Sequence, residues 1–145
     1  ESYSIVHIAS HGVVASDVNS SFLLTYDDKI TMDQLSQLIG MFQFRKTSLD
    51  LLTLSACETA IGDDRAALGL AGVAVKAGAR SAFASLWLID DEATSQLVRE
   101  FYQQLKNPLI SKAAALQQAQ LKIASEPSHD HPSYWAPFLL INNWL

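Results

Sequence analysis

The chain of 145 residues is 49% hydrophobic and 17% charged, the balance of a globular segment of about one domain rather than a disordered or fibrous one. Its net charge of −5 supplies no basic footprint for nucleic acid or an anionic membrane surface. A single cysteine excludes an internal disulfide and a CxxC metal site, and makes a reducing, cytoplasmic setting the expectation.

Residues 4–12, SIVHIASHG, read as a buried strand that delivers His11 and Gly12 at its C-terminal end. The polar stretch 15–21 is a loop rich in turn formers. Residues 22–25 and 29–31 flank Tyr26, Asp27 and Asp28 as a short hairpin. Thr31 then caps a helix from Met32 to about Met41, ended by Gly40, which crosses to the next strand. In that strand Leu49, Leu51, Leu52, Leu54 and Ala56 form an apolar run expected to be buried on both faces, as inside a parallel sheet, and Cys57 stands at its C-terminal end.

The charged loop 58–65 leads into a helix over 66–79, closed by Gly78, in which Gly69 and Gly72 are expected to allow close approach to the sheet. Residues 80–88, RSAFASLWL, are a third buried strand. Asp90, Asp91 and Glu92 suit the N-terminal dipole of an amphipathic helix over 93–106. Asn107 and Pro108 break the chain, Ser111 caps a last helix through Ala124, a loop carries His129 and His131, and residues 138–141 form a final short strand. Both of the longest apolar runs, 66–79 and 81–89, fall short of a membrane span. Strands with intervening helices predict an α/β sandwich with a mostly parallel sheet.

Open α/β sheets bind ligands where strand C-terminal ends converge. A strand ending in His-Gly and a later strand ending in Cys therefore put a base and a nucleophile side by side, if the two strands are neighbours. The imidazole has the pKa to take a thiol proton at neutral pH. A free cysteine read alone is a small buried hydrophobe; the His-Gly strand end is what turns the reading toward chemistry. His7 lies within its strand and is expected to pack or pair with a helix, while His129 and His131 read as solvated loop residues. Their spacing matches no zinc pattern, so no metal site is expected. No cofactor is expected either, since no GxGxxG or P-loop follows a strand. Glu58 beside the cysteine would raise its pKa, which leaves activation to His11 or a helix N-terminus. Asp90 and Asp91 have two readings: with Trp87 they shape an S1 pocket for a basic P1 residue, or they cap the helix.

SHG at 10–12, LSACETA at 54–60, AGARS at 77–81, SLW followed by IDDEAT at 85–94, and YWAPFLLINNW at 134–144 resemble a CHAT domain, a family that belongs with caspases, metacaspases and separases. The resemblance implies a caspase-like three-layer sandwich, helices on both faces of its sheet. By position it makes Cys57 the nucleophile and His11 the general base of a cysteine endopeptidase, with the backbone N–H groups of Gly12 and Cys57 binding the oxyanion. It also implies a substantial portion ahead of the His-Gly strand. Residues 1–145 are then expected to be the C-terminal part of one domain lacking its N-terminal strand or strands, regulated by an upstream region that often carries tetratricopeptide repeats, and with the open sheet edge covered by a second copy or the cysteine loop loosened. One departure is Asn142-Asn143, where the family usually has Gly-Asp. Protein or peptide is the implied substrate; the alternative is a non-catalytic interaction scaffold that retains the fold.

Overall fold

A computed structural model describes residues 3–13, 15, 18–43, 49–55, 65–86 and 90–145. In chain order they form β1 (Ile5–Ile8), β2 (Gly12–Val13), β3 (Phe22–Leu24), β4 (Lys29–Thr31), α1 (Met32–Gln43), β5 (Leu51–Leu54), α2 (Arg65–Lys76), β6 (Ser81–Ser85), α3 (Asp91–Leu105), α4 (Lys112–Ala124) and β7 (Phe138–Asn142). The chain is mixed α/β, with a four-stranded sheet in the order β1-β5-β6-β7 and a three-stranded sheet in the order β2-β3-β4. Two compact units divide it, Glu1–Leu88 with Ile141–Asn143, and Ile89–Leu140 with Trp144–Leu145.

In the first unit, β5 pairs in parallel with β1 on one side and β6 on the other. Every residue of β5 and β6 is buried, as the apolar runs predict for central parallel strands. Leu52, Leu54, Ala82 and Ala84 pack with Met32, Leu35 and Ile39 of α1 and Ala71 and Ala74 of α2 in one core, joined at its margin by Val6, Ile8 and Ile141. The Asn143 N–H donates to the Arg80 carbonyl at 3.0 Å, which fixes the end of the β7 segment in this unit.

Three local expectations change. The strand expected over 4–12 stops at Ile8 and alternates between exposed and partly buried positions, because β1 lies at the sheet edge and only Val6 and Ile8 reach the core. Helix α1 runs through Gly40 to Gln43; glycine lowers helix propensity but stops a helix only where the backbone turns left-handed. Gly72 is exposed, with open space where a Cβ would stand, so buried Ala71 and Ala74, rather than Gly72, face the core. Gly69 lies outside the residues whose surroundings are described.

Other ends form as the sequence predicts. Thr31 Oγ1 accepts from the Gln34 N–H at 3.3 Å and Gln34 Oε1 from the Thr31 N–H at 2.8 Å, a reciprocal capping box. Gly78, at φ 113°, closes α2 with Ala79 N–H on Ala74 O and Gly78 N–H on Val75 O, the paired bonds of a Schellman motif.

The second unit is a helical hairpin. Ala93, Leu97, Val98 and Phe101 of α3 and Ala115, Leu116, Ala119 and Ile123 of α4 are its buried stripes. Ser111 Oγ accepts from Ala114 N–H as the predicted cap. Glu100 joins the helices at 2.6 Å from Lys122 Nζ and accepts from Gln104 Nε2 at 2.7 Å; these donors hold its carboxyl below the ordinary range. Among the described residues no helix is long and apolar enough to cross a membrane.

Candidate active site

The strand that ends toward His11 and the strand that leads toward Cys57 are neighbours. Parallel pairing sets Ile5 against Leu51 and Ile8 against Leu54, and the Ser55 N–H extends the ladder to the Ile8 carbonyl at 3.2 Å. Cys57, Glu58 and Trp87 lie outside the described residues, and the histidine side of the site, residues 3–13, is described in full.

After Ile8 the chain leaves the parallel sheet. Ala9, Ser10 and His11 connect β1 to β2, which pairs antiparallel with β3 as Gly12 opposite Leu23 and Val13 opposite Phe22. The exposed His11 is held through its main chain: its carbonyl accepts from the Leu24 N–H at 2.7 Å. Ser10 Oγ donates to the Leu24 carbonyl at 2.6 Å and lies 3.3 Å from the His11 carbonyl.

Gly12 is buried, and an added Cβ would meet Leu23 Cδ2 and the Phe22 carbonyl oxygen, each at 2.8 Å. The glycine is therefore required by the close approach of β3. Because Leu24 N–H bonds to His11 O, the Gly12–Leu23 pair sits between ladder bonds, and the geometry of an antiparallel pair aims the Gly12 N–H away from β3.

A hydrogen bond of His7 runs to Ser55, the residue that follows β5. The His7 Nε2 lies 2.8 Å from Ser55 Oγ, and partial desolvation of the ring pushes its pKa below the ordinary histidine value. Sequence reasoning missed Ser10 and Ser55; the signal available was their position, one residue before His11 and two before Cys57.

In the second unit, Asp90 Oδ1 accepts from the Glu92 and Ala93 N–H groups at 3.0 Å each, so Asp90 is the N-cap of α3 and Asp91 an exposed residue of its first turn. His129 is not a solvated loop residue: it is 9% exposed, edge-on to Tyr134 at 5.0 Å and 3.4 Å from Glu126 Oε2. His131 caps a short 3-10 turn through Nδ1 on the Ser133 N–H. Among the described residues no three His, Cys, Asp or Glu side chains gather to hold a metal ion.

Asn142 has φ 74°, alone among the described non-glycine residues in the left-handed region. Asparagine tolerates that conformation better than other side chains, and glycine best, which accounts for Asn at the position where the resembled family carries Gly.

The family model of the CHAT domain matches residues 1–143. Human tetratricopeptide repeat protein 28 is 37% identical over 67 residues, 46% of this chain and 3% of that protein. This chain thus spans only a small part of that relative's length. The match covers the His-Gly turn, the β5 strand and the chain through Asn143, and with it the chain belongs to the CHAT domain family and its caspase-like, cysteine-peptidase-related fold.

Proposed function

We propose that this domain is a caspase-like cysteine endopeptidase in which Cys57 is the nucleophile and His11 the general base. The observation that carries the reading is the register of β1 on β5: Ile8 and Leu54 are paired, and His11 and Cys57 each follow three residues later in sequence. Neighbouring parallel strands then run out toward the two groups in step.

In this mechanism His11 takes the Cys57 proton and the thiolate attacks the scissile carbonyl carbon. The carbonyl π electrons move to oxygen, and N–H donors such as that of Gly12 stabilise the oxyanion, one donor being worth about 3 kcal/mol in comparable sites. Collapse breaks the C–N bond, and the imidazolium protonates the leaving amine. Water, deprotonated by His11, then hydrolyses the thioester and releases the acid and the thiol. Asp91 and Trp87 are the proposed contributors to P1 recognition, with Asp90 serving as the cap of α3. The similarity to a tetratricopeptide repeat protein supports a repeat region joined to this domain as its regulator, and a reducing compartment suits the thiolate.

Full-length protein treated with an electrophilic peptide probe tests the reading. Labelling should vanish in Cys57→Ala and fall sharply in His11→Ala. Equal labelling of wild type and His11→Ala would mark an ordinary thiol and favour a non-catalytic scaffold.

A further inference from the structure

We infer that Ser10 is a positioning residue for His11, acting through the backbone of Leu24. The inference rests on the dyad reading above and assigns a part of the machinery outside the dyad. His11 does not continue β1: that strand ends at Ile8, and the antiparallel sheet begins at Gly12. The connection between two sheets has few ladder bonds of its own, so something else must fix the direction in which the base leaves the main chain. Leu24 does this with both of its polar backbone groups. Its N–H holds the His11 carbonyl at 2.7 Å, and its carbonyl receives the Ser10 hydroxyl at 2.6 Å.

Leu24 is a firm anchor. It pairs with Lys29 of β4, and the adjacent Leu23 is buried and opposite Gly12. The Gly12 contact with Leu23 and the Phe22 carbonyl seats the other side of the turn. Residues 10–12 are therefore gripped at three successive positions by β3, and the orientation of His11 is set by β3 more than by the strand that precedes it. Of the three grips, one is main chain to main chain and one is the steric fit of a glycine. Ser10 supplies the only one made by a side-chain polar group. Proton transfer from a thiol tolerates little misplacement, since a shift of about 1 Å in a reacting group can cost about 100-fold. Losing the Ser10 bond leaves the carbonyl of Leu24 without its donor and the His11 peptide with a single polar tether.

The test uses full-length protein and iodoacetamide, with alkylation at Cys57 followed by mass spectrometry across pH and the unfolding midpoint recorded for each variant. Wild type should react at neutral pH, and His11→Ala should move the profile up to the range of a free thiol, about 8.5. Ser10→Ala should move it part of the way, with reaction at pH 7 slower by about three- to ten-fold, and Ser10→Thr, which keeps the hydroxyl, should restore it. Ser10→Val matches threonine in shape and lacks the hydroxyl, so the Thr and Val pair decides the matter if alanine unfolds the turn. A wild-type profile in both Ser10→Ala and Ser10→Val, with His11→Ala shifted, overturns the role of Ser10 and spares the dyad. Failure of Ser10→Thr to restore the profile also overturns it. An unshifted His11→Ala removes the dyad reading and the Ser10 role with it.

Discussion

His7 Nε2 and Ser55 Oγ stand 2.8 Å apart, a bond between β1 and the residue that follows β5. In register His7 faces Thr53, so the contact is the diagonal one that a long side chain on an edge strand can reach. Partial desolvation lowers the His7 pKa below 6.5, so the folded state binds its proton less readily than the unfolded chain does. Stability contributed by neutral His7 is therefore full above pH about 6.5 and declines as pH falls from there to the folded-state value, below which the loss is constant. Urea unfolding between pH 7.5 and 5 should show this decline, and His7→Gln, which keeps a hydrogen-bonding group without titrating, should flatten it. An identical slope in the variant would mean that other groups carry the pH dependence.

Gly12→Ala should destabilise the fold by about 1–3 kcal/mol, the usual range for forced overpacking. One of the two atoms its methyl would meet at 2.8 Å is the Phe22 carbonyl oxygen, and a backbone atom in a paired strand cannot swing aside. Denaturant titration reads the effect directly. A midpoint equal to wild type would show that β3 yields, and with it the proposed rigidity of the His11 turn.

Elements set by local chemistry were legible in the sequence: the leucine-rich β5, the Thr31 and Ser111 caps, and the glycine that ends α2. Each follows from residues within one or two turns of one another. What was not legible depended on distant neighbours. His129 is buried because Tyr134 packs against its ring, and β1 is half exposed because it falls at a sheet edge. The site divides the same way. β1 and β5 are parallel neighbours, and two strands leading toward His11 and toward Cys57 followed from the apolar runs. The grip of Leu24 on Ser10 and His11 did not, since a hydroxyl meeting a carbonyl 14 residues away leaves no periodic trace.

Asn142 should accept glycine and little else. At φ 74° a residue with an ordinary side chain costs about 1–2 kcal/mol. Asn142→Ala should therefore lower stability by about 1 kcal/mol, and Asn142→Gly should leave it equal or slightly raised. Thermal unfolding of the two variants side by side distinguishes this from loss of the asparagine side chain itself, which would make both variants equally weak.

Asp90 allows capping and substrate recognition to be separated with one atom. Its Oδ1 takes two backbone N–H groups at the start of α3, and removal of such a cap typically costs about 1 kcal/mol. Asp90→Ala should lose that amount. Asparagine presents the same Oδ1 without the charge and ranks equally as an N-cap, so Asp90→Asn should match wild type within about 0.5 kcal/mol. Recognition of a basic P1 residue, by contrast, needs a charge. Asp91 is exposed in the first turn, and none of the bonds that cap α3 engages its side chain. We therefore expect the ratio of labelling by an Arg-bearing probe over an Ala-bearing one to survive Asp90→Asn and to fall in Asp91→Asn. A ratio that collapses in Asp90→Asn while the unfolding midpoint stays at the wild-type value would assign the specificity to Asp90, and the division of labour between the two carboxylates would be wrong.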